Sequence, residues 1–473
     1  MGTRAPLAIV FLCALGWQSV ACTPANVPPN VLLLVSDTLR GDAIDCAAAA
    51  DRTPNLCALA ARGVSFERAY ANAPWTPPSS VALLTGRHPA GYAATPPGEP
   101  TRKFHVADSE RLLGEDLVAR GYTALYDVEN ELAVRSGGLQ GFAELHGRPS
   151  ASAGGDLVES IPADEPRYRR MRDLVRFLFA AEEPFFIVRW ILDPHAPYAA
   201  PERFLEPLRR QADSFPQPLE YYAGLGHKRA AQRLREVAPG LGPPELDLLR
   251  ALYHLEVASV DERLGYALEA LRQGGLEDRT IVVFTSDHGE GFGEHGIFLH
   301  GKSYHEELVR VPLIVAGPGI VAGHTANAPV SLVDVSATLH EWLGVIPAEP
   351  LQGRSFAALA NGEPDGPEPR RVYLSSSNGT QYGLDALIEG SDKLVRTSEG
   401  EYALFDLASD PAESENVAGA HPKRLAELAA TLEAVVLENE TRRTRNLRAQ
   451  GSAERVRTDS ETEEALRALG YVE

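Results

Sequence analysis

Three short apolar runs, each closed by an aspartate, constrain this chain more than any other feature. Val31–Val35 (VLLLV) precedes Ser36 and Asp37, Phe185–Leu192 (FFIVRWIL) precedes Asp193, and Ile281–Phe284 (IVVF) precedes Thr285, Ser286 and Asp287. Runs of this length, β-rich and without polar alternation, are what strands buried on both faces of a parallel sheet look like. Amphipathic helices fill the stretches between them. The clearest runs from about Glu245 to Gln273, with Leu248, Leu252, Leu255, Leu264, Leu268 and Leu271 on one face and Gly274-Gly275 as the stop. The expected fold class is α/β. In such sheets ligands collect beyond the carboxyl ends of the strands. Asp37, Asp193 and Asp287, with His195 and His288 close behind two of them, are therefore expected to converge on one polar site. A single strand-end aspartate reads equally well as a turn or helix cap; three in the same position favour convergence.

Asp37, Asp287 and His288 offer hard oxygens and an imidazole, a donor set suited to a divalent cation that would polarise an anionic ester. The candidate nucleophile lies in Ala73–Gly86 (APWTPPSSVALLTG). Thr76 stands where an N-cap belongs, with Pro77 at the first helical position and Gly86 as the stop. A hydroxyl there lies beside free N–H groups that favour phosphate or sulfate oxygens, yet capping alone accounts for Thr76 on this segment. Downstream, the glycines of Asp287–Gly296 (DHGEGFGEHG) let backbone approach a ligand closely. Lys302 follows, a cation able to reach an ester oxygen, though without context it reads first as a solvated surface lysine.

Charge narrows the partners. With 45 Lys and Arg against 65 Asp and Glu the chain carries a net charge of −20 and no basic stripe, which excludes nucleic acid as a partner. The positive charge an anionic ester needs must then be local, from a cation, His195 and Lys302. Beyond the N-terminus no stretch reaches about 18 consecutive apolar residues, so a polytopic membrane protein is excluded. Residues 1–21 read as an export signal: Arg4, the apolar run Pro6–Trp17, then small residues. Ser19-Val20-Ala21-Cys22 resembles a bacterial lipobox, with Ser19 where leucine is preferred. The chain is expected to be exported, to the bacterial periplasm or as an outer-membrane lipoprotein anchored at Cys22. Four cysteines are too few for a disulfide-dense scaffold. Cys13 falls in the signal, and Cys46 and Cys57 are able to pair in an oxidising compartment or to remain thiols.

The ordered motifs resemble the sulfatase family of the alkaline-phosphatase superfamily. The matching pieces are Asn30–Asp42 (NVLLLVSDTLRGD), Thr53–Tyr70 (TPNLCALAARGVSFERAY), Ser79–Pro89 (SSVALLTGRHP), Asp193–Tyr198 (DPHAPY), Thr285–Gly296 (TSDHGEGFGEHG), Gly301–Gly319 (GKSYHEELVRVPLIVAGPG) and Leu404–Val417 (LFDLASDPAESENV). The resemblance implies an alkaline-phosphatase-like, mostly parallel sheet flanked by helices over residues 28–360, and a small C-terminal α+β subdomain over 365–440. A charged tail, 441–473, would follow. It also implies metal binding by Asp37, Asp287 and His288, with Thr38 as a weaker ligand and Thr76 as nucleophile and metal contact. His195 would touch the transferring group and Lys302 the ester or leaving oxygen.

The departures carry as much chemistry. The family's activation motif, Cys or Ser followed by x-Pro-Ser-Arg, places its first residue at Thr76 and its arginine at Ser80. Formylglycine formation removes two hydrogens from Cβ, and the threonine methyl forbids it. The family's Gly-Lys-Trp-His segment is replaced by Asp127-Val128-Glu129-Asn130. An unmodified Thr hydroxyl attacking phosphorus or sulfur directly resembles the phosphoglycerol and phosphoethanolamine transferases of the superfamily. The expected function is metal-dependent hydrolysis of a sulfate or phosphate ester, on a glycan or another envelope component. The alternatives are phospho-alcohol transfer to an envelope glycan or lipid, and non-catalytic glycan binding. By resemblance the cation would be calcium; a Thr nucleophile with His288 leans towards manganese or zinc.

Overall fold

The computed structural model describes residues 28–450 except 49, 93–105, 107–110, 146–153, 182–183, 211–239 and 376–384. The expected signal, Cys22 and residues 451–473 lie outside the described residues.

The apolar runs form the middle of an eight-stranded sheet. In chain order its strands are β1 (Asn30–Ser36), β2 (Gly63–Phe66), β3 (Thr123–Val128), β4 (Ala143–Glu144), β5 (Phe185–Ile191), β6 (Thr280–Ser286), β7 (Leu313–Ala316) and β8 (His324–Ala326). The spatial order is β8-β2-β7-β6-β1-β5-β3-β4. All neighbours are parallel except those of β7, which runs against both β6 and β2. Side chains alternate across a strand. Leu32 and Leu34 therefore pack on one face with Leu252, Val260 and Leu264 of the helix Pro243–Gln273, while Val31, Leu33 and Val35 pack on the other with Leu83, Val335 and Leu339. Each such residue, fully buried, contributes about 1.5–3 kcal/mol, which is why the central strands carry no polar alternation.

Register decides what the strand ends do. Ser36 pairs with Ile191 on one side and with Ser286 on the other. The two aspartates that follow Ser36 and Ser286 thus leave adjacent parallel strands at the same height. Asp193 leaves one residue later, after Leu192.

The helix Thr76–Thr85 begins one residue earlier than expected: Trp75 is the N-cap and makes no side-chain cap. Gly86 ends it at φ 67°, with its N–H bonded to Ala82 C=O at 3.0 Å, a left-handed turn that favours glycine. Near the N-terminus, Cys46 and Cys57 form a disulfide across a Cα–Cα distance of 5.4 Å.

A second sheet of four antiparallel strands, β9 (Arg371–Ser375), β10 (Asp385–Glu389), β11 (Asp392–Arg396) and β12 (Tyr402–Asp406), forms the C-terminal subdomain. The helix Pro422–Gln450 packs Leu428 and Leu432 onto Tyr373, Leu387, Leu394 and Leu404 of that sheet. This helix runs on to Gln450, well inside the segment expected to be a tail.

Candidate active site

Asp37 and Asp287, brought together by the β1–β6 register, lie with His288 in a fully buried cluster whose ligand atoms all fall within 4.8 Å of one another. Thr38 and His288 N–H groups both donate to Asp287 Oδ1, at 3.1 and 3.0 Å. His288 Nδ1 bonds Gly289 C=O at 3.0 Å, which places the ring proton there and turns the Nε2 lone pair towards the carboxylates. Thr38 is held at φ 57°, strained for a β-branched residue, with its C=O accepting from Tyr253 Oη at 2.9 Å.

Asp37 Oδ1, Asp287 Oδ2 and Thr38 Oγ1 are buried and make no hydrogen bond among the described residues. Two carboxylate oxygens, Asp37 Oδ1 and Asp287 Oδ2, gathered with His288 Nε2 and left without a donor fit a cation, and the mixed carboxylate and imidazole set fits a divalent one. Burial first, and then the neighbouring Asp287, pushes the Asp37 carboxyl up to about 6. Burial likewise pushes Asp287 up to about 7, against the hydrogen bonds it accepts from Thr76 and from the Thr38 and His288 N–H groups.

Thr76 is the first residue of its helix, with Trp75 at the N-cap position. Its hydroxyl lies 3.3 Å from His288 Nε2 and 3.3 Å from Asn130 Nδ2, and Asn130 also donates to Asp37 Oδ2 at 2.6 Å. At the position of the missing arginine, Ser80 folds its hydroxyl back onto Pro77 C=O at 2.9 Å. His195 is buried, its Nδ1 tied to Ala196 C=O at 2.6 Å and its Nε2 without a hydrogen-bond partner among the described residues. Desolvation lowers its pKa, partly offset by the Asp37 charge. Lys302 is half-buried, and its segment is fixed beside the turn that leads into Thr76 by Gly301 N–H to Pro74 C=O at 2.8 Å.

Asp193 does not join this cluster. Its side chain turns back into the protein, where Arg167 at 2.8 Å and Arg263 at 2.5 Å bind it. The same network takes in Glu129, Arg189 and Glu256. Charges this deeply buried persist only when paired. Here they brace two turns: Leu192 N–H donates to Glu129 at 2.9 Å, one residue before Asn130, and Asp193 stands two residues before His195. The expectation of three convergent aspartates is thus corrected to two, the third being structural.

The chain matches the sulfatase family model over residues 29–345. It belongs to the sulfatase family. A second model, N-sulphoglucosamine sulphohydrolase, C-terminal, matches residues 293–442. Arylsulfatase K of Gallus gallus is 26% identical over 92% of this chain and 88% of its own length. The ulvan-active sulfatase of Formosa agariphila is 26% identical over 83% and 77% respectively. Among solved structures, BT4656 in complex with its substrate D-glucosamine-2-N,6-O-disulfate aligns with a TM-score of 0.68 at 21% identity, covering 88% of this chain and 98% of that one. The phosphonate monoester hydrolase of Agrobacterium radiobacter aligns with a TM-score of 0.61 at 22% identity, covering 89% and 96%. This sulfatase is thus an ester hydrolase by family, from a metal-dependent group, on the alkaline-phosphatase-like fold.

Two residues of this sulfatase site escaped the sequence reading. Asn130 closes β3 as the aspartates close β1 and β6, and the polar pair after TALYDV was the available signal. His300 packs its ring 4.5 Å from that of His288 and 5.0 Å from that of His195, and its Nδ1 bonds the buried Glu290 at 3.0 Å. Nothing in its local sequence marks it.

Proposed function

We propose that this sulfatase-family chain hydrolyses sulfate or phosphate esters with the unmodified Thr76 hydroxyl as nucleophile. The observation that carries the proposal is the direction of that hydroxyl: it meets His288 and Asn130 within the cluster. Asp37, Asp287 and His288 would hold a divalent cation, with Thr38 as a weaker fourth donor; one imidazole among carboxylates favours manganese or zinc over calcium. Such a cation, when bound, lowers the pKa of a nearby hydroxyl and offsets ester charge.

The rest follows from the chain's own groups. Asn130 holds Thr76 Oγ1 in place and screens Asp37. Thr76 Oγ1 gives up its proton and forms a bond to sulfur or phosphorus as the bond from that atom to the organic oxygen breaks, and the departing oxygen takes up a proton in its place. His195, with Nδ1 committed to a carbonyl, exchanges protons only through Nε2. Water then attacks the Thr76 ester, releasing inorganic anion and restoring the hydroxyl. Lys302 and His195 stabilise charge on the oxygens.

For the organic part we propose a glycan, supported by the disulfated glucosamine and ulvan named for the relatives above. Export is also proposed; the apolar run Pro6–Trp17 and the Cys46–Cys57 disulfide support it. Mass spectrometry of the mature N-terminus tests both export and lipidation at Cys22.

The purified protein is assayed with nitrophenyl phosphate, nitrophenyl sulfate, a phosphodiester and sulfated and phosphorylated glycans, with manganese or with chelator. Turnover that needs the cation, survives Thr76→Ser and vanishes in Thr76→Ala is expected. Full activity in Thr76→Ala would overturn the nucleophile assignment, and diversion of product by added alcohols would reassign the chain as a transferase.

A further inference from the structure

The segment 294–308 belongs to the catalytic half, yet much of what holds it comes from the C-terminal subdomain. It carries both His300 and Lys302. On its inner side it touches each half of the site: Gly301 N–H bonds Pro74 C=O at 2.8 Å, two residues before Thr76, and Gly289 N–H, next to His288, bonds Leu308 C=O at 2.9 Å. The approach at Gly289 is so close that a Cβ there would stand 2.1 Å from Glu307 O.

On its outer side three ties bind the segment to the C-terminal sheet and the turn after it. Lys393 of β11 is fully buried and places Nζ 3.1 Å from Glu306 Oε1 and 2.8 Å from Glu413 Oε1. Glu413 Oε2 accepts from Glu306 N–H at 2.7 Å. His295 spans the same gap, with Nδ1 2.9 Å from Glu307 and Nε2 2.9 Å from Ala412 C=O. An ammonium taken fully out of water is held there by two carboxylates, one from each part of the protein. A lysine at this position does more than fill space, since an apolar side chain would pack the sheet at lower desolvation cost.

We infer that Lys393, through Glu306 and Glu413, is a positioning residue by which the C-terminal sheet sets the segment bearing His300 and Lys302 against the ester site. The inference rests on the proposed site, in that Lys302 and His300 matter only if an anionic ester binds beside Thr76. Without Lys393 two acids are left facing each other and the segment is released, while Asp37 and Asp287 keep their own hydrogen bonds from Asn130 and from the Thr38 and His288 N–H groups.

The test uses the full chain and two independent readouts. Hydrogen exchange across 294–308 is measured in wild type, Lys393→Met, Lys393→Arg and the milder Glu413→Gln. Binding of orthovanadate and of sulfate is measured by calorimetry in the same proteins, in Lys302→Met and in the Lys302→Met/Lys393→Met double variant. Expected are at least tenfold faster exchange in Lys393→Met confined to 294–308, partial restoration in Lys393→Arg, and anion affinity lowered about as much as by Lys302→Met. The double variant should bind no worse than either single one. Unchanged exchange in both Lys393→Met and Glu413→Gln would overturn the inference, as would faster exchange with anion affinity within twofold of wild type. If wild type binds neither anion, the site reading fails, and the exchange measurement still decides whether the clamp exists.

Discussion

Chelation should cost this protein stability in a pH-dependent way, because the carboxyls that would hold the cation are poor places for charge without it. An unperturbed aspartate titrates near 3.8, whereas burial holds Asp37 near 6 and Asp287 near 7 in the metal-free fold. Between those limits the folded chain retains protons that the unfolded chain has lost. The contribution of these groups to stability is therefore greatest below about pH 4 and falls as pH rises through about 7. Each tenfold weakening of an acid corresponds to about 1.4 kcal/mol, so the pair forfeits about 7 kcal/mol between pH 4 and pH 8, about 4 kcal/mol of it above pH 5. A bound cation competes with those protons, so its stabilising increment should grow across the same window. His195 and His288, whose burial favours neutral rings, carry no charge at the upper end of it. With an unfolding entropy of about 2 cal/mol/K per residue, a chain of this size shifts roughly 1 °C per kcal/mol. Scanning calorimetry from pH 5 to 8, with excess manganese and with EDTA, should show the two Tm curves nearly touching at pH 5 and separated by about 4 °C at pH 8. Asp287→Asn should remove most of that separation. Parallel curves at every pH, or a separation that survives Asp287→Asn, would refute the reasoning.

Further outcomes follow from single contacts. Asn130→Ala removes hydrogen bonds to Asp37 and to Thr76. At about 1.5–3 kcal/mol for a bond to a charged group, kcat should fall about 10- to 100-fold with Tm little changed, and an unaltered kcat would show that Asn130 is a bystander. Arg263→Met leaves Asp193 and Glu129 short of a buried partner. It should destabilise the protein by about 3–5 kcal/mol in a urea titration, and a loss under 1 kcal/mol would contradict the assignment of Asp193 to a structural network. Cys57→Ser opens the short loop closed by Cys46, with an expected cost of about 3 kcal/mol by the same titration.

The sequence made the sheet legible because each central strand is buried on both faces, and burial writes itself as uninterrupted Val, Ile, Leu and Phe. It made Asp37, Asp287 and His288 legible because a parallel sheet gathers its strand ends. What it hid depended on partners far along the chain. Asp193 looked like its two counterparts, and only Arg167 and Arg263, from two different helices, reveal that it turns inward. His300 means nothing until the fold lays it between His195 and His288. Thr76 is ambiguous for a related reason, since the helix start and the proposed nucleophile position fall on the same residue.

The matched ends of β1 and β6 have a consequence for how this protein can change. Residues rise about 3.3 Å apiece along a strand and alternate faces, so a slip of one place would carry a carboxylate out of reach and turn it to the wrong side. The address at which chemistry happens is thus written in the hydrophobic middle of the sheet. The groups proposed to act there are single side chains at positions 38, 76 and 288, outside the strands themselves. An exchange of one of them, such as threonine in place of an oxidisable cysteine or serine, leaves the address untouched, and a scaffold of this kind can be given new chemistry without being asked to fold anew.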